Sequence, residues 1–445
     1  MSSKVICPAI LISAPASGQG KTTITSAIAR LHARQGRRVS VFKCGPDFLD
    51  PHWHKLASGR PVYQMDLWMT GEDDIRRRLH AAAMQSDLIL IEGVMGLFDG
   101  EPSAADLAEK FNIPVLGVID ASAMAGTFAA LAYGLRHYRP QLPWAGVLAN
   151  RVASARHAQM LEAGIAEPGS WLGAVMRNPA LTLPERHLGL TVASEIPDAL
   201  QRLDAAADAL ADTPLGKMTG EDLQRWAVEF EPASQAIPVA ELLAGKTLAV
   251  ARDAAFCFIY QANLDVLKSL GARLEYFSPI ADCALPACDA VWLPGGYPEL
   301  HAEALGSNAS MRESIKKHWH ADRPIWAECG GMMALFEELI CKNGQGYPMW
   351  GLLPGKVRMQ ERLAALGPQQ LTLGKETLRG HTFHYSSAET PLQAVARTAR
   401  PGMSPSPEAG EAFYQSGSVR ASYFHPWFAS NPVAASRLFL NEALT

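Results

Sequence analysis

The sequence lacks several features that would each point to a particular class of protein. No run approaches the roughly 18–20 uninterrupted apolar residues that a membrane-spanning helix needs. Charged residues make up only 19% of the chain, the formal net charge is -4, and no long run of Lys or Arg is present. The sequence thus offers no basic surface to a phosphate backbone. These absences argue against a membrane protein and against a nucleic-acid partner.

Paired cysteines are also absent. The chain has seven cysteines, none in a CxxC pair, at positions 7, 44, 257, 283, 288, 329 and 341. An odd number without paired spacing argues against a disulfide framework and against a structural zinc site. The first apolar run, VICPAILIS, leads into a glycine-rich loop instead of a cleavage site, so we expect a buried strand and no signal peptide. The sequence predicts a cytoplasmic protein with a cysteine available for catalysis.

What the sequence does contain is an alternation of apolar runs and helical stretches, twice over. At 445 residues, 48% of them hydrophobic, the chain is long enough for two or three domains with well-filled cores. Runs such as SDLILIEGV are apolar on consecutive residues, as strands buried on both faces of a parallel sheet must be. We predict a doubly wound α/β domain over 1–197, a helical linker over 198–244 and a second α/β domain over 245–445.

A phosphate-binding loop follows the first predicted strand. The segment APASGQGKTT, residues 14–23, lies between that strand and a helical pattern. Glycines let backbone amides close around phosphate oxygens at a helix N-terminus, while a lysine adds positive charge. Pro15 stands where a plain Walker A motif has its first glycine, so a longer loop that starts at Ala14 fits better. The residues predicted to hold nucleotide are Ser17, Gly18, Gly20, Lys21, Thr22 and Thr23.

Carboxylates at strand ends are the candidates for binding Mg²⁺. Glu92 ends the run LILIE, and Asp47 and Asp50 lie in KCGPDFLDP, just after the strand predicted at 39–43. These strand ends are expected at the carboxyl edge of the sheet, beside the phosphates, where Mg²⁺ needs oxygen ligands. We predict Thr22, Asp47 and Glu92 as the Mg²⁺ ligands, with turn capping as the alternative role for each carboxylate.

Further polar residues lie at the same predicted edge. Asn150 ends the run GVLA, where its amide is suited either to the adenine edge or to forming a turn. Lys43 ends the strand before the aspartates. Together with Asp50, it is a candidate contact for a phosphate or a substrate carboxylate.

A second site is predicted around Cys329. The segment WAECGGMM places this cysteine on a sharp turn between an apolar strand and a helical stretch. There the helix N-terminus favours the thiolate, and the backbone amide of Gly330 can stabilise an oxyanion. Gly295 and Gly296, at the end of another strand in LPGGYPE, leave a second amide free for the same oxyanion. We therefore predict a nucleophile here, although a lone cysteine is more often a small buried hydrophobe.

Such a nucleophile needs a base. The segment SYFHPWF places His425 after a predicted strand, and we predict that it activates Cys329. His381 and His384, in GHTFHYS, are competitors that could instead hold substrate. The position two residues after His425 is Trp427 and not an acid, so the group that orients the imidazole is left unidentified.

Taken together, these motifs resemble the cobyrinic acid a,c-diamide synthase family. The shared blocks span nearly the whole chain: ASGQGKTT, FKCGPDFLDP, IEGVMGLFDG, LPERHLGL, ARDAAFCFIY, FSPIAD, LPGGYPE, AECGGMM, GHTFHYS and FHPWF. The resemblance implies a dethiobiotin-synthetase-like ATP domain joined to a triad-type glutamine amidotransferase domain. It implies phosphate contacts from Lys21 and Thr22, with Glu92 and Asp47 near Mg²⁺. It also implies that Cys329 is the nucleophile and His425 its activator.

The resemblance also implies a reaction. Family members use ATP, Mg²⁺ and L-glutamine to amidate the a and c acetates of cobyrinate, of cobalt-free hydrogenobyrinate or, in methanogen relatives, of nickel-sirohydrochlorin. We expect such a corrinoid substrate here, within cobalamin biosynthesis. Cobyric acid synthase is the main enzyme alternative, and GPDFLDP together with LPERHLGL favours the a,c-diamide enzyme. A nucleotide-switch ATPase is the other alternative, but Ala16 stands where such proteins often carry a signature lysine.

Two departures from the family pattern stand out. Thr382 replaces the acid of the related block GHEFHYS, and the stretch after Gly100 is shorter than in many relatives. The first departure puts in doubt how a histidine or the substrate is oriented, and the second affects the tetrapyrrole pocket. The sequence leaves open the metal content of the macrocycle and the oligomeric state, for which a homodimer is one option.

Overall fold

The computed structural model describes residues 3–186, 189–232, 239–406 and 409–442. The chain forms two compact units, Met1–Ala236 and Ile237–Thr445. The block LPERHLGL includes residues 187 and 188, which lie outside the described residues. No helix among the described residues combines the length and apolar character needed to cross a lipid bilayer.

The first unit is built on a sheet with helices on both faces. Its strands are β1 (Val5–Ser13), β2 (Val39–Cys44), β3 (Tyr63–Met65), β4 (Leu88–Glu92), β5 (Val115–Asp120), β6 (Trp144–Val152), β7 (Trp171–Met176), β8 (Glu185–Arg186), β9 (Gly189–Leu190) and β10 (Ala227–Phe230). Its helices are α1 (Lys21–Arg34), α2 (Asp50–Ser58), α3 (Glu72–Ala83), α4 (Ala104–Lys110), α5 (Thr127–His137), α6 (Ala155–Ala163) and α7 (Ala199–Ala211). Single 3₁₀ turns cover Pro179–Leu181, Ala193–Glu195 and Asp222–Trp226.

The parallel strands of this sheet lie in the order β3-β2-β4-β1-β5-β6-β7. Alternate residues of the central strand β1 enter different cores: Leu11 packs on one face of the sheet, and Ile10 and Ile12 pack on the other. Burial of both faces is the reason that these strands are apolar on consecutive residues. The doubly wound α/β fold predicted for this part of the chain is confirmed, and the phosphate loop follows its central strand.

The segment 198–244, predicted as a helical linker, differs from that expectation over its described residues up to 232. Helix α7 packs along α1, and its apolar residues belong to a buried cluster of the first unit: Leu203, Ala206, Ala207 and Leu210. Strand β10 pairs antiparallel with the first half of β1, with Phe230 opposite Val5. The spacing of the apolar residues in α7 is that of a helix with one buried face. This stretch is therefore part of the first unit's core.

The second unit contains a further sheet that is mostly parallel, a smaller mixed sheet and a smaller antiparallel sheet. Its strands are β11 (Thr247–Ala251), β12 (Arg273–Phe277), β13 (Ala290–Leu293), β14 (Ile325–Glu328), β15 (Glu338–Ile340), β16 (Gly346–Pro348), β17 (Lys356–Met359), β18 (Ala365–Leu373), β19 (Glu376–His384), β20 (Ser386–Glu389), β21 (Ala396–Arg397), β22 (Ala412–Ser416), β23 (Val419–Ser422) and β24 (His425–Pro426). Its helices are α8 (Gln261–Ser269), α9 (Ala302–Ser307), α10 (Ala309–His320), α11 (Gly330–Leu335) and α12 (Pro432–Arg437), with 3₁₀ turns at Pro298–Leu300 and Phe428–Ser430.

The main sheet of this unit has the order β12-β11-β13-β14-β23-β22-β21 and is parallel from β12 to β23. The second α/β domain is thus confirmed. Two pairings position the predicted catalytic residues. Strand β14 lies beside β23, with Glu328 opposite Ser422, and β19 pairs with β24, with His381 opposite His425. These pairings bring the end of the chain to the turn that carries Cys329.

Candidate active sites

The phosphate loop connects the end of β1 to the start of α1. Gly18 and Gly20 have φ angles of 77° and 91°, in the left-handed region that favours glycine. A side chain at Gly20 would also collide with the amide of Asn150. The loop conformation therefore requires glycine at the position directly before Lys21.

All the residues predicted to hold nucleotide, metal or phosphate in this unit line one cavity of about 750 Å³. They are Ser17, Gly18, Gly20, Lys21, Thr22, Thr23, Lys43, Asp47, Asp50, Glu92 and Asn150. The cavity extends past the loop to a second wall that includes Arg177, Pro179 and Leu183. Residues spread over six elements and their connections thus converge at the carboxyl edge of the sheet, where ligands bind in open α/β sheets.

Lys21 is buried, and its Nζ donates hydrogen bonds to two backbone carbonyls, 3.1 Å from Ala16 O and 2.6 Å from Met95 O. Burial lowers the pKa of Lys21, the positive charge of Lys43 adds to the shift, and Glu92 opposes it. A phosphate group would add negative charge beside Lys21 and so favour its protonated form. The side chain is therefore held by one carbonyl of the phosphate loop and one of the segment after β4.

Glu92 is the centre of a buried polar network. Its Oε1 accepts a hydrogen bond from Thr22 Oγ1 at 2.8 Å and lies 3.1 Å from Lys43 Nζ. Its Oε2 contacts His54 Nε2 closely, and His54 Nδ1 lies 2.9 Å from Ser26 Oγ. Burial acts to raise the pKa of Glu92, but Lys43 and His54 outweigh it and hold that pKa below its usual value. Glu92 is therefore ionised, with both of its oxygens held.

Lys43 links Glu92 to the aspartate segment. Its Nζ lies 2.7 Å from Asp50 Oδ2. Burial acts to lower the pKa of Lys43, but the carboxylates of Asp50, Glu92 and Asp47 raise it above its ordinary value. Asp47 Oδ1 accepts hydrogen bonds from the backbone amides of Leu49, at 2.6 Å, and Asp50, at 3.2 Å. The turn-capping alternative is thus realised for Asp47 in this structure.

The donor set suits Mg²⁺ in part. Among the described residues no group of three or more His, Cys, Asp and Glu side chains is arranged to hold a metal ion. Thr22 and Glu92 nevertheless place a hydroxyl and a carboxylate 2.8 Å apart at the phosphate loop. Mg²⁺ commonly takes one or two protein oxygens and completes its octahedron with water and phosphate oxygens. These two residues therefore fit the ion, with Asp47 in the same cavity.

Asn150 has its amide engaged by the phosphate loop itself. Its Nδ2 donates to Gln19 O at 2.9 Å, and its Oδ1 accepts from the backbone amide of Arg151 at 2.9 Å. Arg151 in turn bridges Gly18 O and the carboxylate of Asp120. Contact between Asn150 and adenine stays a prediction.

In the second unit, Cys329 lies on the turn between β14 and α11. Its φ of 43° and ψ of -105° are strained for a residue with a side chain, and its backbone amide donates to Ser422 O at 2.8 Å. A Cβ at Gly330 would approach the backbone nitrogen of Gly296 to 2.9 Å, so glycine is needed for the two turns to pack together. The backbone of the Gly295-Gly296 pair thus lies against the turn that carries the cysteine.

The Cys329 thiol has a raised pKa. Burial is the main cause, Glu299 adds to it, and the backbone amide of Gly330 opposes it. The sequence predicts that the helix N-terminus favours the thiolate of Cys329. In the structure burial has the larger effect on its pKa and favours the neutral thiol. The thiol needs a base to accept its proton.

His425 is almost completely buried, and its ring is held from several sides. A Cβ at Gly295 would lie 2.5 Å from His425 Cε1, and the His381 ring stacks on the His425 ring with centroids 5.0 Å apart. His425 Nδ1 lies 3.5 Å from Glu328 Oε2. Since the 295–296 turn contacts both His425 and the cysteine turn, the predicted base and nucleophile belong to one site.

His381 and His384, the two competitors for the role of base, have different surroundings. His381 Nδ1 lies 3.1 Å from the Tyr260 hydroxyl, and burial lowers the pKa of His381 well below its ordinary value, helped by His425. His384 Nε2 lies 3.1 Å from Glu411 Oε1, and its ring stacks on Tyr423 with centroids 3.8 Å apart. His381 is therefore packed on the base, and His384 is paired with an acid.

Thr382 contacts a carboxylate from another part of the chain, Glu411. The Thr382 hydroxyl donates to Glu411 Oε1 at 2.8 Å, on the same oxygen that His384 contacts. A carboxylate thus lies beside position 382, and it belongs to the residue that directly precedes β22. The two residues are 29 positions apart, which is why the sequence motif did not reveal this contact.

Three side chains of these sites were missed by sequence reasoning: His54, Glu328 and Glu411. His54 had a signal, because it follows Asp50 by four residues in DPHWH and therefore shares its helix face. Glu328 directly precedes the nucleophile, but strand alternation places neighbouring side chains on opposite faces and hides the link to His425. Glu411 lies in a segment without any recognisable motif.

Comparisons with known proteins match one family model to each unit. Residues 10–190 match the family of CobQ/CobB/MinD/ParA nucleotide binding domains, and residues 247–433 match the CobB/CobQ-like glutamine amidotransferase domain. The cavity with the phosphate loop lies in the first range, and the Cys329 turn lies in the second.

Whole-length relatives carry closely related names. The chain is 56% identical to a hydrogenobyrinate a,c-diamide synthase of Stutzerimonas stutzeri, over 97% of this chain and 98% of the relative. It is 53% identical to a protein of the same name from Pseudomonas aeruginosa, over 97% of each chain. A cobyrinate a,c-diamide synthase of Herminiimonas arsenicoxydans is 48% identical over 97% of each chain.

Proposed function

The chain belongs to the cobyrinate and hydrogenobyrinate a,c-diamide synthase family, and from this membership we propose that it amidates the a and c acetate groups of a corrinoid precursor. ATP activates each carboxylate, and glutamine supplies the nitrogen. The observation that carries this proposal is the presence of two sites in one chain. One is a cavity lined by a phosphate loop. The other is a cysteine turn and a buried histidine that both pack against the pair Gly295-Gly296. A nucleotide switch would have no use for the second site.

We propose hydrogenobyrinate as the preferred acceptor. The relatives at 56% and 53% identity are named for hydrogenobyrinate, whereas the relative at 48% is named for cobyrinate. Incubation with each macrocycle separately, followed by mass measurement of the amidated products, distinguishes them. Faster diamide formation from cobyrinate would contradict this choice.

In the first unit, Lys21 and the loop amides are proposed to hold the ATP phosphates. Transfer of the γ-phosphoryl group to an acetate carboxylate forms an acyl phosphate and releases ADP. Lys21 stabilises the charge that develops on the phosphoryl oxygens. Thr22 and Glu92 would hold Mg²⁺, which neutralises phosphate charge when it is bound. Lys43 and Asp50 are proposed to contact a phosphate or the acceptor carboxylate.

In the second unit, Cys329 is proposed to attack the side-chain amide carbon of glutamine. His425 accepts the thiol proton and returns it to the departing ammonia, while the amides of Gly296 and Gly330 stabilise the oxyanion. Water then hydrolyses the thioester to glutamate and the free thiol. The ammonia displaces phosphate from the acyl phosphate, so each new amide consumes one ATP and one glutamine.

Separate substitutions in the two sites test this proposal. Cys329→Ser should lower glutamine hydrolysis by about a thousandfold or more and retain synthesis from ammonia, because only the release of ammonia needs the thiol. Lys21→Ala should lower synthesis from either nitrogen source by about a hundredfold. Initial rates of diamide and glutamate formation measure both effects. Glutaminase activity that survives in Cys329→Ser, or synthesis that survives in Lys21→Ala, would refute the assignment.

A further inference from the structure

A buried carboxylate lies beside the predicted base of the second site. Glu328 is 2% exposed and directly precedes the nucleophile on β14. Its Oε2 lies 3.5 Å from His425 Nδ1. Its Oε1 accepts hydrogen bonds from two indole nitrogens, at 2.9 Å from Trp292 and 2.7 Å from Trp326. One oxygen is therefore fixed by the core, and the other faces the imidazole.

This arrangement meets the requirements for orienting a catalytic histidine. An imidazole that accepts a proton through one nitrogen must carry its own proton on the other, and a carboxylate at that second nitrogen fixes the tautomer and stabilises the imidazolium. Position 427, two residues after the base, holds a buried Trp and cannot do this. With Nδ1 facing Glu328, Nε2 would be the nitrogen that accepts the thiol proton.

We propose that Glu328 is the positioning residue of the glutaminase site, holding His425 with its proton on Nδ1 and stabilising the imidazolium that forms when Cys329 loses its proton. This inference rests on the proposed function and identifies the group that orients its base. It gives the site a Cys-His-Glu set in which the acid and the nucleophile are consecutive residues.

The surroundings of the pair support this role. Gly295 and His381 pack against the ring of His425 on two sides and restrict its movement beside Glu328. The separation of 3.5 Å exceeds the usual hydrogen-bond range of about 2.7–3.2 Å but lies within the distance of an ion pair. The titratable groups around His425 include Glu328, whose pKa is raised by burial in spite of His425, together with Glu411 and His381.

The test compares glutamine hydrolysis with ammonia-dependent synthesis in the same protein. Glu328→Gln keeps the side-chain shape and removes the charge. We expect kcat for glutamine hydrolysis to fall about a hundredfold with KM changed less than threefold, while ammonia-dependent synthesis stays within twofold. The acidic limb of the glutaminase rate profile should move to lower pH, because the imidazolium loses its stabilising neighbour. Glu303→Gln, an exposed carboxylate on α9, is the matched control and should change none of these values.

Two further variants separate positioning from a purely structural role. Glu328→Asp, which keeps the charge on a shorter side chain, should retain at least about ten times the kcat of Glu328→Gln. In a His425→Gln background, adding Glu328→Gln should change the residual rate less than twofold, because Glu328 acts only through His425. If Glu328→Gln does not fold, Glu328→Asp is compared with the wild type, and a loss of about fivefold or more in kcat with KM unchanged is expected.

Several results would overturn the inference. They are a glutaminase kcat within threefold of wild type in folded Glu328→Gln, equal rates in the Asp and Gln variants, an unchanged pH profile, or a further large loss in the His425→Gln background. Failure of the proposed function would look different, since Cys329→Ser would then keep glutaminase activity. The two failures are therefore distinguishable in one set of assays.

Discussion

At the scale of single residues, the nucleotide site depends on how Glu92 is held. His54 is completely buried and joins Ser26 to the second oxygen of Glu92, which leaves the first oxygen facing Thr22. Glutamine at position 54 cannot span both partners with the same geometry. We expect His54→Gln to weaken binding of Mg²⁺ with a non-hydrolysable ATP analogue about tenfold, because partners of this kind orient ligand carboxylates. Titration calorimetry measures this directly.

His52→Gln is the control for this variant, since His52 lies on the same helix but is only partly buried. It should leave nucleotide affinity within twofold of the wild type. Glutamine hydrolysis should be unchanged in both variants because that chemistry belongs to the second unit. Equal nucleotide affinity in His54→Gln and wild type would contradict the role given to His54.

Residues that the sequence could identify are those whose chemistry depends on their own segment. Lys21 lies in a glycine loop at a helix start, and Cys329 lies on a strand-to-helix turn, so the backbone around each one predicts its role. Glu328 and Glu411 act on histidines that are brought to them by strand pairing from elsewhere in the chain. Such contacts join side chains from different strands. Neither segment on its own shows which strand it will lie beside, so the sequence does not reveal the contact.

At the scale of elements, α7 tests whether the segment after residue 198 is part of the first unit. Leu203 is completely buried against α1, whereas Leu200 on the same helix is 42% exposed. We expect Leu203→Ala to lower the free energy of unfolding of the first unit by about 3 kcal/mol, through lost burial and the cavity left behind. Leu200→Ala should change it by less than about 0.5 kcal/mol. Urea unfolding measures both, and equal small effects would mean that α7 is only loosely attached.

The same helix shows why a linker was predicted. Its composition is rich in alanine and acids, which suggested a solvated connection. The spacing of Leu203, Ala206, Ala207 and Leu210 already has the period of a helix with one buried face. Periodicity was thus the better guide than composition. Strand β10 was missed for a different reason, since its antiparallel pairing with β1 comes from a segment far along the chain.

At the scale of the whole molecule, the sequence predicts the order of helices and strands along the chain. It does not predict which strands lie side by side in each sheet. Alternating apolar runs and helices predict an α/β fold, because parallel strands need crossover connections. The alternation occurs in two series along this chain and therefore predicts two such units. The sheet order in each unit depends instead on which crossover passes over which strand, as in the placement of β1 between β4 and β5. In each unit, nevertheless, the functional turn follows a central strand. The phosphate loop follows β1, and the Cys329 turn follows β14.

Each unit also carries a buried histidine that is predicted to make it sensitive to acid. Burial lowers the pKa of His32, with help from Arg37, to about 4 in the first unit, and burial lowers the pKa of His318 to about 4 in the second. An unfolded histidine has a pKa of about 6.5. Between these values the unfolded chain binds more protons than the folded chain, so stability is complete above about pH 6.5 and falls as the pH drops toward 4.

At pH 5 each of these histidines should reduce the free energy of unfolding of its unit by about 2 kcal/mol relative to pH 7.5. His32→Gln and His318→Gln should each lose about that much less than the wild type over the same interval, because glutamine does not titrate. Urea unfolding at the two pH values measures the difference. His320→Gln, an exposed neighbour on α10, should keep the wild-type dependence. An undiminished loss in both buried variants would place the acid sensitivity in other groups.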